Sequence, residues 1–269
     1  MQRLVVTDLD GTLLRSDGSV SGRTREVLDA VDALGVVVVF VTGRPLRWMS
    51  GLWEHVGGHG LAVCSNGGIV YDVPGRRITE ARTIPRAIGL EVAAEIRAAV
   101  PGSVFSVERT TGAACEPDFP DRREPGRPAG GESERGPLEA IFVGDVVKLL
   151  ALHPELDPAD YWHRVDGVVG DRVTTTWSSA GALVEISAAG VTKGSTLARL
   201  CHERGIAAAD VVAFGDMPND MAMLTWAGRS YAMGNAHPSV LEIADHVAPT
   251  NDEDGVAAVL AEQFGLTRR

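Results

Sequence analysis

Four short runs of apolar, mostly β-branched residues each stop at a cluster of carboxylates, hydroxyls, amides and glycines. No other feature constrains the fold of this chain as strongly. Leu4–Thr7 runs into Asp8-Leu9-Asp10-Gly11-Thr12, and Val36–Val41 runs into Thr42-Gly43-Arg44. Leu61–Cys64 runs into Ser65-Asn66-Gly67-Gly68, and Val211–Phe214 into Gly215-Asp216-Met217-Pro218-Asn219-Asp220. A continuous β-branched run such as Val36–Val41 predicts a strand covered on both faces. Between the first two runs, Arg23–Leu34 sets Val27, Leu28, Val31 and Leu34 at helical spacing, with Ser21 placed as N-cap and Gly35 as the stop. Strands separated by helices predict βαβ units, hence an α/β fold with a doubly wound, mostly parallel sheet. In such a sheet the carboxyl ends of the strands share one edge, where ligands bind. The four polar clusters are therefore predicted to meet in one crevice.

The same grammar closes the chain. Thr196–Arg204 reads as a helix, Asn219–Trp226 as a helix after Pro218, Ser230–Met233 as a strand and Gly255–Phe264 as the last helix. The middle reads differently. Pro85–Val100 is amphipathic, and strand candidates follow at Ser103–Glu108, Ala140–Val143 and Val146–Leu152. Pro158–Val165 looks helical, and Arg172–Trp177 with Ala182–Ile186 looks like part of a meander. Residues 1–81 and 189–269 are thus predicted to form one α/β core, with an α+β cap domain inserted at 82–188. Within the insert, 116–137 holds five Pro, four Gly and ten charged residues around a single large apolar residue, Phe119. Such a segment buries too little surface to offset its ordering entropy, so a mobile loop is predicted.

Charge and composition narrow the function classes. The formal net charge is −11, which disfavours nucleic acid or an anionic membrane as partner, and aromatic residues are only 5%, too few for a base-stacking platform. No purely apolar run is longer than Val36–Val41, which is far short of the roughly 18 residues of a membrane span. No signal-peptide core precedes Asp8, and Cys64, Cys115 and Cys201 form no CxxC pair, which predicts reduced thiols in a cytoplasmic protein. The oligomeric state is not encoded in any of these features.

Asp8 and Asp10 lie two residues apart just past a strand, and Gly11 permits the turn that brings both into one site. Two carboxylates about 4 Å apart repel by about 4 kcal/mol at an effective dielectric near 20. Asp216 adds a third acid, so the site calls for protons or a cation. An all-oxygen set of a few carboxylates suits Mg²⁺, which keeps waters and binds substrate phosphate. Taken alone, an Asp-x-Asp pair also fits a glycosyltransferase metal site or a surface turn. Asp220 also fits a helix cap, Thr42 a polar strand end and Asn66 a turn residue. Lys193 opens a helix, where a cation is unfavourable unless an anion binds between it and the helix amides. Only two of the 25 basic residues are Lys, which marks Lys193 as a position where a compact point charge was retained. Lys148, the other lysine, has no such context and is expected to behave as an ordinary solvated cation.

In order, Asp8-Leu9-Asp10-Gly11-Thr12-Leu13-Leu14, Thr42-Gly43-Arg44, Lys193-Gly194 and Gly215-Asp216-x-x-Asn219-Asp220-x-x-Met223-Leu224 resemble the four motifs of the haloacid dehalogenase superfamily of phosphohydrolases. Ser65-Asn66-Gly67-Gly68, Gly234-Asn235-Ala236 and Asp254-Gly255-Val256-Ala257 further resemble its Cof-type branch, whose large cap lies where the insert lies here. The resemblance implies Mg²⁺-dependent hydrolysis of a small phosphorylated metabolite, a sugar phosphate or a phosphorylated cofactor. It implies Asp8 as nucleophile and Asp10 as general acid and then base. Asp8, Asp216 and the Asp10 backbone carbonyl are the implied metal ligands, with Asp220 acting on metal waters or on Lys193. Thr42, the Gly43 amide and Lys193 are implied to hold phosphoryl oxygens, with Arg44, Asn66 and Asn219 as further substrate or phosphate contacts. A phosphotransferase could use the same aspartyl-phosphate, and a regulatory module could keep the fold without the chemistry.

Overall fold

A computed structural model describes residues 2–49, 52–53, 60–120, 134–178 and 181–266. Its first sheet has eight strands: β1 (Leu4–Thr7), β2 (Val37–Val41), β3 (Leu61–Cys64), β4 (Ile69–Asp72), β5 (Arg77–Ala81), β12 (Val211–Gly215), β13 (Arg229–Ala232) and β14 (His246–Val247). Their spatial order is β14-β13-β12-β1-β2-β3-β4-β5. All pairings from β14 through β3 are parallel. β1 therefore stands at the switch point, with β12 on one side and β2 on the other, where such sheets open a crevice. Thr7 pairs with both Phe40 and Phe214, so three strands end level with one another.

The helix Gly22–Ala33 forms as its pattern predicts: the Ser21 hydroxyl accepts the Thr24 N–H, and Val27, Leu28 and Val31 are buried. β4 and β5 form an antiparallel hairpin beyond the expected strands. Its signal was Pro74-Gly75 between alternating runs, a turn punctuator.

The second sheet holds the strands of the middle segment: β6 (Val104–Glu108), β7 (Ala113–Cys115), β8 (Glu134–Arg135), β9 (Lys148–Leu152), β10 (Val173–Thr176) and β11 (Leu183–Ala188). Their order is β10-β11-β9-β6-β7-β8. The helices Arg86–Ala99 and Pro158–Val169 pack on this sheet around Val92, Ile96, Phe105, Tyr161 and Val165, in a hydrophobic cluster separate from that of the first sheet. Ala140–Val143, expected as a strand, is instead the end of a short helix, Leu138–Ile141. Leu138, Ile141 and Phe142 recur at three- and four-residue spacing and are all buried, a helical pattern that a four-residue window does not separate from a strand. The centre of the expected mobile loop, 121–133, lies outside the described residues. Of its flanks, Phe119 is buried with Cys115, Leu150 and Leu183, and Glu134–Arg135 pairs with β7. Among the described residues no helix is long and apolar enough to cross a membrane.

Candidate active site

The carboxyl ends of β1, β2, β3 and β12 converge as their sequence pattern requires. Asp8 leaves β1 with its N–H donated to the Phe214 carbonyl at 3.1 Å, which locks it beside β12. Gly11 turns the chain back with φ of +75°, a conformation L side chains rarely adopt, and a Cβ there would lie 2.2 Å from Asp216 Oδ2. The glycine is thus needed both for the turn and for the approach of a carboxylate. Thr12 donates its hydroxyl to Asp216 Oδ1 at 2.8 Å. The first motif implies no role for Thr12; its place directly after the turn is the sequence signal for this contact. The Asn235 amide donates to the Gly11 carbonyl at 2.8 Å and the Asn251 amide to the Leu14 carbonyl at 2.9 Å, tying the loop to the C-terminal segment.

Lys193 opens the helix Lys193–Glu203, where Thr192 and Ser195 form a reciprocal cap. Its ammonium donates to Asp8 Oδ1 at 2.8 Å and to Asp220 Oδ1 at 2.7 Å, and the residue is 1% exposed. The anion expected at this helix start is therefore a pair of carboxylates of the chain itself. Asp220 has both oxygens engaged: Oδ2 accepts the N–H groups of Asp216 and Met217 at 3.0 and 3.1 Å. Asp8, Asp216 and Asp220 bring one carboxylate oxygen each within 4.8 Å of one another, all buried.

Three carboxylates around one ammonium leave excess negative charge. Burial, opposed by Lys193 and reinforced by Asp220, Asp216 and Asp10, pushes the Asp8 carboxyl well above its ordinary range. Burial and the neighbouring Asp220 push Asp216 up to about 7, against the Thr12 hydrogen bond and Lys193. Burial works against the charge of Lys193, but Asp220 and Asp8 outweigh it and hold its pKa above the ordinary lysine value. A hard divalent cation answers this imbalance, because oxygen donors are what it takes. Asp8 Oδ2, Asp216 Oδ2 and the Asp10 carbonyl accept no hydrogen bond among the described residues, so the donor set fits Mg²⁺.

Asp10 is not a member of this cluster. Arg44 grips it with both arms, Nε to Oδ2 at 2.7 Å and a terminal nitrogen to Oδ1 at 2.5 Å. Arg44 is buried while the Asp10 side chain is 44% exposed. Thr42 is fully buried; its Oγ1 accepts the Arg44 N–H at 3.0 Å, and its carbonyl accepts the Asn66 N–H at 3.0 Å. Neither the Thr42 hydroxyl hydrogen nor the Gly43 N–H has an acceptor among the described residues. Asn66 sits in the left-handed region at φ +56° and donates its amide to Glu185 Oε2 at 2.8 Å. A carboxylate only accepts, so this contact fixes the amide orientation. Asn66 Oδ1 then takes the Asn219 amide N–H at 3.1 Å, and Asn219 Oδ1 is left buried without a donor.

Asp10, Gly43, Arg44 and Asn219 border a cavity of about 160 Å³ between the two sheets. Asp8, Asp10, Arg44 and Asn219 line it from the first sheet, and Glu108, Lys148 and Glu185 from the second. The last three were missed. Lys148, expected to be a solvated cation, is 1% exposed and lies within hydrogen-bond reach of the Gly43 carbonyl. The signal was present, since the scarcity of lysine that marked Lys193 applied equally to Lys148. Burial raises the Glu185 carboxyl, but Lys148, Asn66 and Ser178 overcome it and hold it below its ordinary value.

A family profile described as haloacid dehalogenase-like hydrolase matches residues 5–260. The chain is 28% identical over 268 residues to an HMP-PP phosphatase of Yersinia enterocolitica, covering 97% of this chain and 94% of that protein. It is 26% identical over 259 residues to the 5-amino-6-(5-phospho-D-ribitylamino)uracil phosphatase YcsE of Bacillus subtilis, covering 96% of this chain and 94% of the relative. Among solved structures, SMU.1108c from Streptococcus mutans superposes with a TM-score of 0.85 at 24% identity, over 98% of this chain and all of the other.

Proposed function

This chain belongs to the haloacid dehalogenase-like hydrolase family, in its Cof-type branch, and on that premise we propose that it is a Mg²⁺-dependent phosphatase of small phosphate monoesters acting through Asp8. The observation that carries this reading is the buried cluster of Asp8, Lys193, Asp216 and Asp220, which opens through Asp8 onto a cavity that Gly43 also lines. Asp8, Asp216 and the Asp10 carbonyl would hold Mg²⁺, which when bound supplies positive charge against the carboxylates and the phosphoryl oxygens. Lys193 aims Asp8 and opposes the burial that disfavours its ionised form, the bound cation would supply the rest, and Asp220 holds Lys193 through a second hydrogen bond.

In this reading an Asp8 oxygen attacks phosphorus in line with the departing ester oxygen, giving an aspartyl-phosphate. Lys193, the Gly43 N–H and the Thr42 hydroxyl meet the charge spread over the phosphoryl oxygens. Asp10 protonates the leaving oxygen and then takes a proton from the water that releases phosphate. To do so, one Asp10 oxygen must leave Arg44. An incoming phosphoryl group is an anion that draws the guanidinium away, since Arg pairs phosphate and carboxylate through the same fork. Asn66 and Asn219 border the phosphate side, where the Asn219 oxygen accepts from a ligand or its water.

The second sheet, with the segment 82–188 that carries it, is read as a cap that selects the leaving group. Glu108 is 3% exposed, and its Oε2 accepts no hydrogen bond, its nearest cation being the Lys148 ammonium at 3.5 Å. A buried carboxylate oxygen on the cavity wall that accepts no close hydrogen bond favours a leaving group that carries donors, as a sugar phosphate or a phosphorylated cofactor does. The relatives from Yersinia enterocolitica and Bacillus subtilis named above are both phosphatases by name, the second of a phosphoribitylamino compound. A panel of sugar phosphates, phosphorylated cofactors and p-nitrophenyl phosphate, assayed with Mg²⁺ and with excess chelator, tests the proposal. Release of phosphate only with Mg²⁺ is expected, and full turnover in chelator would sink the metal assignment.

A further inference from the structure

Lys148 belongs to β9 of the second sheet, yet its hydrogen bonds reach the loop after β2. The ammonium donates to the Gly43 carbonyl at 2.8 Å and to Glu185 Oε1 at 3.0 Å, with Glu108 Oε2 at 3.5 Å. Burying an ammonium costs several kcal/mol unless partners surround it, and here two carboxylates and a carbonyl do so.

The Gly43 carbonyl and the Arg44 N–H belong to one peptide unit. Lys148 holds its oxygen, and Thr42 Oγ1 accepts its N–H at 3.0 Å. Glu185, paired with Lys148, also holds the Asn66 amide, while the Asn66 N–H donates to the Thr42 carbonyl. Residues 42–44 are thus gripped through two strands of the second sheet. Glycine turns freely about its torsions. A rotated 43–44 peptide would swing a carbonyl oxygen toward the phosphoryl site and break the contact that sets the Thr42 hydroxyl. We propose that Lys148 is a positioning residue: it fixes the Gly43–Arg44 peptide so that the Thr42 hydroxyl faces the phosphoryl group, and through Glu185 it holds Asn66, whose N–H fixes the Thr42–Gly43 peptide that carries the Gly43 N–H. The second sheet is then part of the phosphate-binding machinery itself, whatever the leaving group. The inference rests on the phosphatase reading above.

Lys148 also lines the cavity, so a role as leaving-group contact is the competing outcome. The two roles separate by substrate. For Lys148→Met, kcat/KM should fall by the same factor, about 30-fold, for p-nitrophenyl phosphate and glucose 6-phosphate. That lies below the ~100-fold that loss of a direct donor costs. The inhibition constant of orthovanadate, which has no leaving group, should rise in the same proportion. Lys148→Arg keeps the charge that Glu108 and Glu185 need, and so keeps the fold. It should show a uniform loss of about tenfold, because a planar guanidinium does not reproduce a point donor on the Gly43 carbonyl. Melting curves restrict the comparison to folded variants. A loss below threefold on both esters, or a loss confined to one ester, overturns the proposal. Wild-type protein that hydrolyses neither ester and gains no thermal protection from orthovanadate overturns the phosphatase reading instead.

Discussion

Exchanging Lys193 for Arg preserves the charge at the centre of the site and changes only its shape. The ammonium sits 2.8 Å from Asp8 Oδ1 and 2.7 Å from Asp220 Oδ1, fully buried, at the first position of its helix. A guanidinium is planar and broader, and it cannot lie between those two oxygens without displacing one of them. Overpacking of this kind costs about 1–3 kcal/mol of stability. In a chain of this size that lowers Tm by several degrees, at roughly 2–4 °C per kcal/mol. Activity should fall further than stability. Asp8 loses its aim and the phosphoryl oxygens lose a preorganised donor, a change worth at least about 100-fold in kcat/KM, or about 2.7 kcal/mol. The assay is steady-state hydrolysis of p-nitrophenyl phosphate at saturating Mg²⁺, beside a melting curve. Arg23→Lys, on an exposed helix surface, is the reference exchange. A Lys193→Arg enzyme within fivefold of wild type would show that only the charge matters and would refute the geometric argument.

Three further outcomes follow from the same geometry. Asp216, raised to about 7, binds a proton in the folded state that an ordinary carboxyl in the unfolded chain has lost, so this group makes chelator-treated protein less stable as pH rises from about 4 to 7. Asp216→Asn should therefore melt above wild type at pH 8, with the difference shrinking toward pH 4.5; an advantage that grows on acidification contradicts the assignment. Gly11→Ala should raise the half-saturating Mg²⁺ concentration at least about tenfold, since the new methyl meets Asp216 in a backbone conformation that itself costs about 1 kcal/mol or more, and an unchanged Mg²⁺ titration would remove Asp216 from the metal site. Glu108→Gln should reorder a panel of phosphate esters while leaving the Mg²⁺ requirement in place, and an unchanged ranking would take Glu108 out of leaving-group selection.

The core of the site was legible because its signals are local. Four strands of the parallel sheet are short apolar runs, and a polar cluster follows each directly, so reading along the chain finds Asp8, Thr42, Asn66 and Asp216 without knowing the strand order. Lys193 was legible because a cation at a helix start contradicts the helix dipole, and the conflict points to the carboxylates found there. The second-sheet half of the cavity was not legible. Lys148 reaches Gly43 across 105 residues of sequence, and Glu185 reaches Asn66 across 119. On β11 nearly every residue is buried, so no alternation of polar and apolar positions marks Glu185 as facing anything in particular. The short helix Leu138–Ile141 was misread for a related reason: four apolar residues carry no period, and only packing decides.

The claim on which the account turns is that Asp8 carries the phosphoryl group. Rapid mixing of wild-type enzyme with ³²P-labelled substrate and Mg²⁺, followed by an acid quench within the first turnover, traps an acyl phosphate if one forms. Borohydride then reduces the labelled aspartate to homoserine, which peptide mass spectrometry locates. The account predicts reduction at position 8 alone, label that appears before free phosphate, and neither signal in Asp8→Asn. Rapid turnover with no protein-bound label, or reduction at Asp10, Asp216 or Asp220 in place of Asp8, would contradict it.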